Sequence, residues 1–146
     1  MKKFSFPLET AHRWRESQAE MEEARLQKLF AEKHAIDRRV AALDGELQAE
    51  HRRIEDRISD ARELAMLEEF RAWASGEKRQ LSAARAECER RIAAQRTALV
   101  EARRRFQLLD RLKEKSLIAW HAANAKEQED LAAELYLARR VREDEE

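Results

Sequence analysis

Turn formers are almost missing from this chain of 146 residues, which has two glycines (Gly45, Gly76) and a single proline (Pro7). A compact domain of that length needs Gly or Pro at most changes of direction, so their scarcity excludes a many-turned globule and the loops from which active sites are built. One cysteine, Cys88, excludes an internal disulfide. Net charge is also lacking, because 30 basic residues balance 30 acidic ones. No global field therefore draws the chain to nucleic acid or to an anionic membrane. The longest run without Lys, Arg, Asp or Glu, Ser116 to Ala125, is ten residues, about half of the roughly 20 that a membrane-spanning helix needs. No apolar stretch follows Met1-Lys2-Lys3 to form a signal peptide, so the cytosol is the expected compartment.

What remains is 41% charged and 43% apolar, the composition of a long helix or coiled coil. Apolar residues in the first half step by three and four: Leu26, Leu29, Ile36, Val40, Leu43, Leu47 and Ile54, with Lys33 and Glu50 interrupting. That spacing is a heptad seam. After Ile54 the stripe shifts register through Ile58, Ala61 and Ala65, and Leu64, Leu67, Phe70 and Trp73 widen it. A second seam follows in Leu81, Arg85, Cys88, Ile92, Gln95, Leu99, Ala102, Phe106 and Leu109, and continues less regularly to Leu135. Each seam needs a partner helix.

The expected architecture is therefore all-α, a single helical-hairpin domain of two long antiparallel helices with the turn near Ser75-Gly76. Ser75 would cap the second helix and Gly76 would take the left-handed geometry that ends the first. Helix 1 is expected over about 6–74 and helix 2 over about 78–141, with a short acidic tail. Residue i then faces roughly residue 152 minus i, which places Leu64 near Cys88, Leu47 near Arg105-Phe106, Leu43 near Leu109 and Val40 near Leu112. Arg85 to Lys115, with ten basic and five acidic residues, would face Asp37 to Leu67, with eight acidic and six basic. Each helix would run on the order of 100 Å at 1.5 Å per residue. One uninterrupted helix is the alternative, since an interior Gly costs only about 1 kcal/mol.

Catalytic signatures are absent: no Gly-rich phosphate cradle, no Gly-flanked serine and no His-Glu-x-x-His. The expectation is a non-enzyme without cofactor or metal. His12, His34, His51 and His121 lack the i, i+4 pairing that chelates a metal from one helix face, and His51 with Glu55 reads as a solvated pair. Cys88, on the seam, reads as a small buried hydrophobe. The Arg103-Arg104-Arg105 run fans around the helix and is interleaved with acids, so it does not make a phosphate-binding stripe; a salt-sensitive contact with an acidic protein surface stays open. The ends carry large apolar residues: Phe4, Phe6, Leu8 and Trp14 at one, Leu131, Leu135, Tyr136, Leu137 and Val141 at the other. In the expected hairpin these lie alongside each other, either capping the open end or entering a partner's cavity.

Lys3-Phe4-Ser5-Phe6-Pro7-Leu8 followed by Arg13-Trp14-Arg15 resembles the opening of the flagellar export protein FliJ family. Ala102 to Lys115, which includes Leu109, Leu112 and Lys113, and then Lys126-Glu127-Gln128-Glu129-Asp130-Leu131 are similar to that family's two C-terminal motifs. In order and placement the likeness spans almost the whole chain. It departs where Trp120 stands for the family's usual tyrosine and where Ala132-Ala133 replaces part of an acidic ending. The resemblance implies a cytoplasmic coiled-coil stalk of a type III export apparatus, peripheral to the inner membrane through its partners. Those partners would be the export ATPase FliI with its regulator FliH, the export gate FlhA, and export chaperones that it helps escort. Carried over, the ring-facing candidates are Phe4, Phe6, Leu8, Arg13 and Trp14 with Leu131, Leu135 and Tyr136. The gate-facing candidates are Phe70, Trp73 and Leu81. Leu109, Leu112, Lys113, Gln128 and Asp130 are motif residues. A virulence-type YscO-like stalk, a generic structural coiled coil and a helical nucleic-acid binder working through Arg85 to Lys115 are the rival readings.

Overall fold

A computed structural model describes residues 2–56 and 60–144. Two helices account for nearly all of them: α1, Glu9–Glu55, and α2, Ala61–Asp144. The fold is the expected all-α pair of long helices, but the reversal falls between Glu55 and Ala61 and not at Ser75-Gly76. Gly76 lies inside α2 with ordinary helical φ, and so does Gly45 inside α1. Helix 1 therefore ends some twenty residues before its expected limit of 74, and α2 is 84 residues long against 47 for α1. The expected seam residue Ile58 lies outside the described residues.

Local chemistry explains the shift. Arg52 and Arg53 occupy the last turn of α1, where cations offset the carbonyl end of the helix dipole. Asp60 then caps α2, its Oδ1 accepting from the Glu63 amide at 2.9 Å. Asp60-Ala61-Arg62-Glu63 has the spacing of a capping box, with the Asp in the position that Ser or Thr usually holds. Pro7 precedes α1, and the Phe6 carbonyl accepts from the Glu9 amide at 3.1 Å.

The described chain divides into two units, Glu20–Val100 and Met1–Ala19 with Glu101–Glu146. Within Glu20–Val100, α1 and α2 run antiparallel, tied by Asp37 to Arg85 (2.8 Å), Lys33 to Glu89 (3.3 Å), His51 to Arg71 (2.9 Å) and Asp44 to Lys78. In all four pairs the residue numbers add to 122, not 152. The expected facings are corrected accordingly: Cys88 donates its S–H to the Leu29 carbonyl at 3.3 Å instead of lying near Leu64. Leu26, Cys88, Ile92 and Leu99 form the buried cluster here, with Leu29, Phe30 and Ile36 packed against it. Leu43 and Ala74 are fully buried and Leu67 is buried, whereas Ala61, Leu64 and Ala65, read as a shifted stripe, are exposed. Among the described residues no helix is long and apolar enough to cross a membrane.

Because Gly76 is an interior helical residue, and a Cβ added there meets nothing within 4 Å, Gly76→Ala is expected to stabilise the protein by about 0.5–1 kcal/mol. Thermal unfolding followed by circular dichroism checks the sign; a left-handed turn residue would instead lose stability.

Candidate docking site at the ends of the chain

In the unit of residues 1–19 and 101–146, residues 2–8 form a strap ahead of α1. Phe6, buried, meets the His12 ring edge-on at 6.4 Å between centroids. His12 is itself 7% exposed, lies 5.0 Å from the Phe106 ring, and directs Nε2 to Asp110 Oδ1 at 3.0 Å. In the tautomer that donates to Asp110, Nδ1 is left as a buried acceptor with no partner among the described residues. Phe4 packs edge-on against Trp120 at 6.0 Å, and the Trp120 indole N–H donates to the Lys2 carbonyl at 3.2 Å. Lys113, a motif residue, binds Glu9 at 2.9 Å. That hydrogen bond, joined by the charges of Lys113 and Arg13, holds the Glu9 carboxyl below the usual glutamate range.

The expected neighbourhood of the terminal aromatics is therefore corrected. Phe4 lies against Trp120 and Phe6 against His12, not alongside Leu135 and Tyr136, because the reversal falls between Glu55 and Ala61 and not at Ser75-Gly76. As a polar residue His12 carries no hydrophobic signal of packing, although it falls on the same three-and-four spacing as Leu26 and Leu29, at 12, 15, 19, 22, 26 and 29. Leu8 and Trp14 are exposed, Arg15 covers the Trp14 ring at 4.6 Å, and Arg13 reaches Glu9 at 3.3 Å.

Beyond Asn124 every described residue of α2 is exposed. Leu131, Leu135, Tyr136, Leu137 and Val141 are each more than half exposed, a density of large apolar side chains that a solvated helix end does not need. Gln128, Leu131, Leu135 and Ala138 continue the seam spacing along one face, and Leu135 with Ala132, Tyr136 and Arg139 lines a shallow groove. Motif residues Gln128 and Asp130 belong to this free segment. Leu109 is half-buried on the seam and Leu112 is exposed.

The gate-facing candidates lie in Glu20–Val100. Phe70 and Trp73 stack at 5.7 Å, with Trp73 48% exposed, and Phe70 borders a notch with Ile54, Met66 and Leu67. Leu81 is half-buried on the α2 seam. The reversal between Glu55 and Ala61 keeps Phe70 toward the turn end and sets Leu81 further along α2. Among the described residues no group of three His, Cys, Asp or Glu is placed to hold a metal ion, and His51 pairs with Glu55 at 3.1 Å. Compared with family models, curated proteins and solved structures, the chain shows no match.

Proposed function

We propose that this protein is a FliJ-like helical stalk of a type III export apparatus, acting at the cytoplasmic side of the membrane on the export ATPase and its regulator FliH, with the export gate FlhA and export chaperones as further partners. The observation that carries the proposal is the free C-terminal segment of α2, an exposed helix with Leu131, Leu135 and Tyr136 on it and the family-like Glu127-Gln128-Glu129-Asp130 before them. A helix of this kind suits insertion into the apolar cavity of a ring, because burial of Leu and Tyr side chains contributes affinity while the helix backbone is already satisfied. Nothing in this role requires a bound cofactor.

Of the ring-facing candidates, Leu131, Leu135 and Tyr136 are available to a partner as they stand, and so are Leu8 and Trp14. Phe4 and Phe6 serve the role differently, holding the strap against Trp120 and His12 so that α2 projects from a fixed point. The test is ATP hydrolysis by a purified export ATPase of the same cell with this protein added. Stimulation is expected, and Leu131→Ser with Leu135→Ser and Tyr136→Ser is expected to remove it while the helical content of the protein stays unchanged. Stimulation that survives the triple substitution overturns the assignment of the segment, and absence of any effect of the unaltered protein overturns the stalk reading.

A further inference from the structure

On α2 the residues that pack inward in the Glu101–Glu146 unit are Ala102, Phe106, Leu109, Lys113, Ser116 and Trp120. On the opposite side of the same stretch a second set recurs at the same three-and-four spacing: Arg104, Leu108, Arg111, Lys115 and Ile118. All five are exposed, Leu108 by 56% and Ile118 by 69%, with Leu112 at the border of the row. A helix that packs on one face only has no need of aliphatic residues at heptad positions on the other. Cations are the second observation. Several surface arginines elsewhere are matched within the chain, as in Arg105 with Glu101, Arg91 with Glu87, Arg71 with Glu68 and Arg25 with Glu22. Arg104, Arg111 and Lys115 make no ion pair among the described residues, so this row presents three unmatched cations and no carboxylate.

We propose that this outer row of α2 docks an amphipathic helix of a partner protein that carries carboxylates flanking an apolar heptad stripe. Leu108 and Ile118 supply knobs at the spacing a facing helix accepts, and Arg104, Arg111 and Lys115 lie between them where acidic positions of that helix pass. The arrangement disfavours a lipid surface, because cations intercalated between the two aliphatics would be drawn below the headgroups with them, whereas interfacial helices keep a broad apolar face apart from the charged one. It disfavours nucleic acid, because Leu108 and Ile118 would be set against phosphates. The row lies apart from the free segment after Asn124, so the proposal stands without the export reading.

The test uses the full-length chain, labelled with nitrogen-15, and a synthetic helical peptide with leucine at its a and d positions and glutamate at e and g. Addition of the peptide is expected to shift amide signals within residues 101–122, with affinity that falls as salt rises. A peptide with glutamine in place of each glutamate, and the protein variant Arg111→Gln with Lys115→Gln, are each expected to bind about tenfold more weakly, as loss of charge-assisted contacts at an interface predicts. Because both substituted side chains are exposed, the variant keeps its fold, and its unperturbed spectrum confirms this. Absence of binding, shifts centred on residues 125–144, or equal affinity for the glutamine peptide overturns the proposal. So does tighter binding to phosphatidylglycerol vesicles or duplex DNA, or self-association lost in the variant, each of which assigns the row to a different occupant.

Discussion

Leu43→Ala is expected to destabilise the protein by about 3 kcal/mol, within the range found when a fully enclosed leucine is truncated. Among the described residues Leu43 is the one large side chain with no exposed surface, on a seam where most neighbours are half-buried. The Asp44–Lys78 pair sets it in the stretch that also encloses Ala74, a residue too small to move into the space left behind. The transfer loss and the cavity therefore add, since a helix pair held by ion pairs on either side of this layer cannot close up by a methyl group or more. Leu47→Ala, one seam step on and half-buried, is expected to cost less, about 1–2 kcal/mol, because water already reaches part of that side chain. Urea unfolding followed at the helical circular-dichroism band compares the two, and hydrogen exchange localises the loss to amides around residues 36–50. Equal effects at both positions would mean that the seam relaxes around Leu43.

The same layer shows how much of this fold was open to inspection in the sequence. Heptad spacing identified both seams, and nearly every position read from Leu26 to Ile54 and from Leu81 to Leu109 is buried or half-buried. Glycine content alone points to Gly76, whereas the observed reversal is marked by Asp60-Ala61-Arg62-Glu63, a capping signal that contains neither Gly nor Pro. A second signal lay in the polar residues that interrupt the seams. A turn at Ser75-Gly76 sets Arg85 against Leu67 and Lys33 against Ala119, leaving charges on a seam without partners, which is costly even when burial is partial. The observed register gives Arg85 to Asp37, Lys33 to Glu89 and Gln95 to the Glu22 carbonyl at 3.0 Å. Pairing the interruptions, and not only the apolar steps, locates the turn. Spacing by itself cannot, because a heptad seam offers an apolar partner at every shift of seven residues.

The candidate site was legible in part for the same reason. That Leu131, Leu135 and Tyr136 lie beyond the hairpin's pairing follows from where the chain turns, so a reading with the turn at the midpoint hid their exposure by giving them Phe4 and Phe6 as neighbours. The outer row of α2 was hidden differently. Arg103-Arg104-Arg105 is a run along the chain, whereas the pattern in space joins Arg104 to Arg111 and Lys115, which share the face opposite the inward side of the continuous α2.

Phe6→Ala is expected to release the N-terminal strap, at a cost of about 3 kcal/mol in the pairing of residues 2–19 with residues 101–124. Phe6 is 8% exposed and closes one edge of His12, whose ring is otherwise held by Phe106 and Asp110. Without the phenyl ring, water reaches His12 Nδ1 from the strap side, and the hydrogen bond from the Trp120 indole to the Lys2 carbonyl loses the anchor that keeps Lys2 in place. The indole N–H signal of Trp120 reports this directly: it is expected to move toward the position of a solvated tryptophan and to exchange faster with water, while amide protection around Leu26, Cys88 and Ile92 persists, since those residues pack only within Glu20–Val100. Phe4→Ala, which removes a ring in edge contact with Trp120 but leaves Phe6 buried, is expected to shift the same signal with a smaller loss of stability. The comparison separates two roles for the aromatic opening of this chain. If Phe6→Ala leaves Trp120 and His12 undisturbed, the strap is held without it and Phe6 is free to enter a partner; if the Trp120 signal moves as expected, Phe6 acts inside the molecule, and the proposed contact with an ATPase ring rests on Leu131, Leu135 and Tyr136.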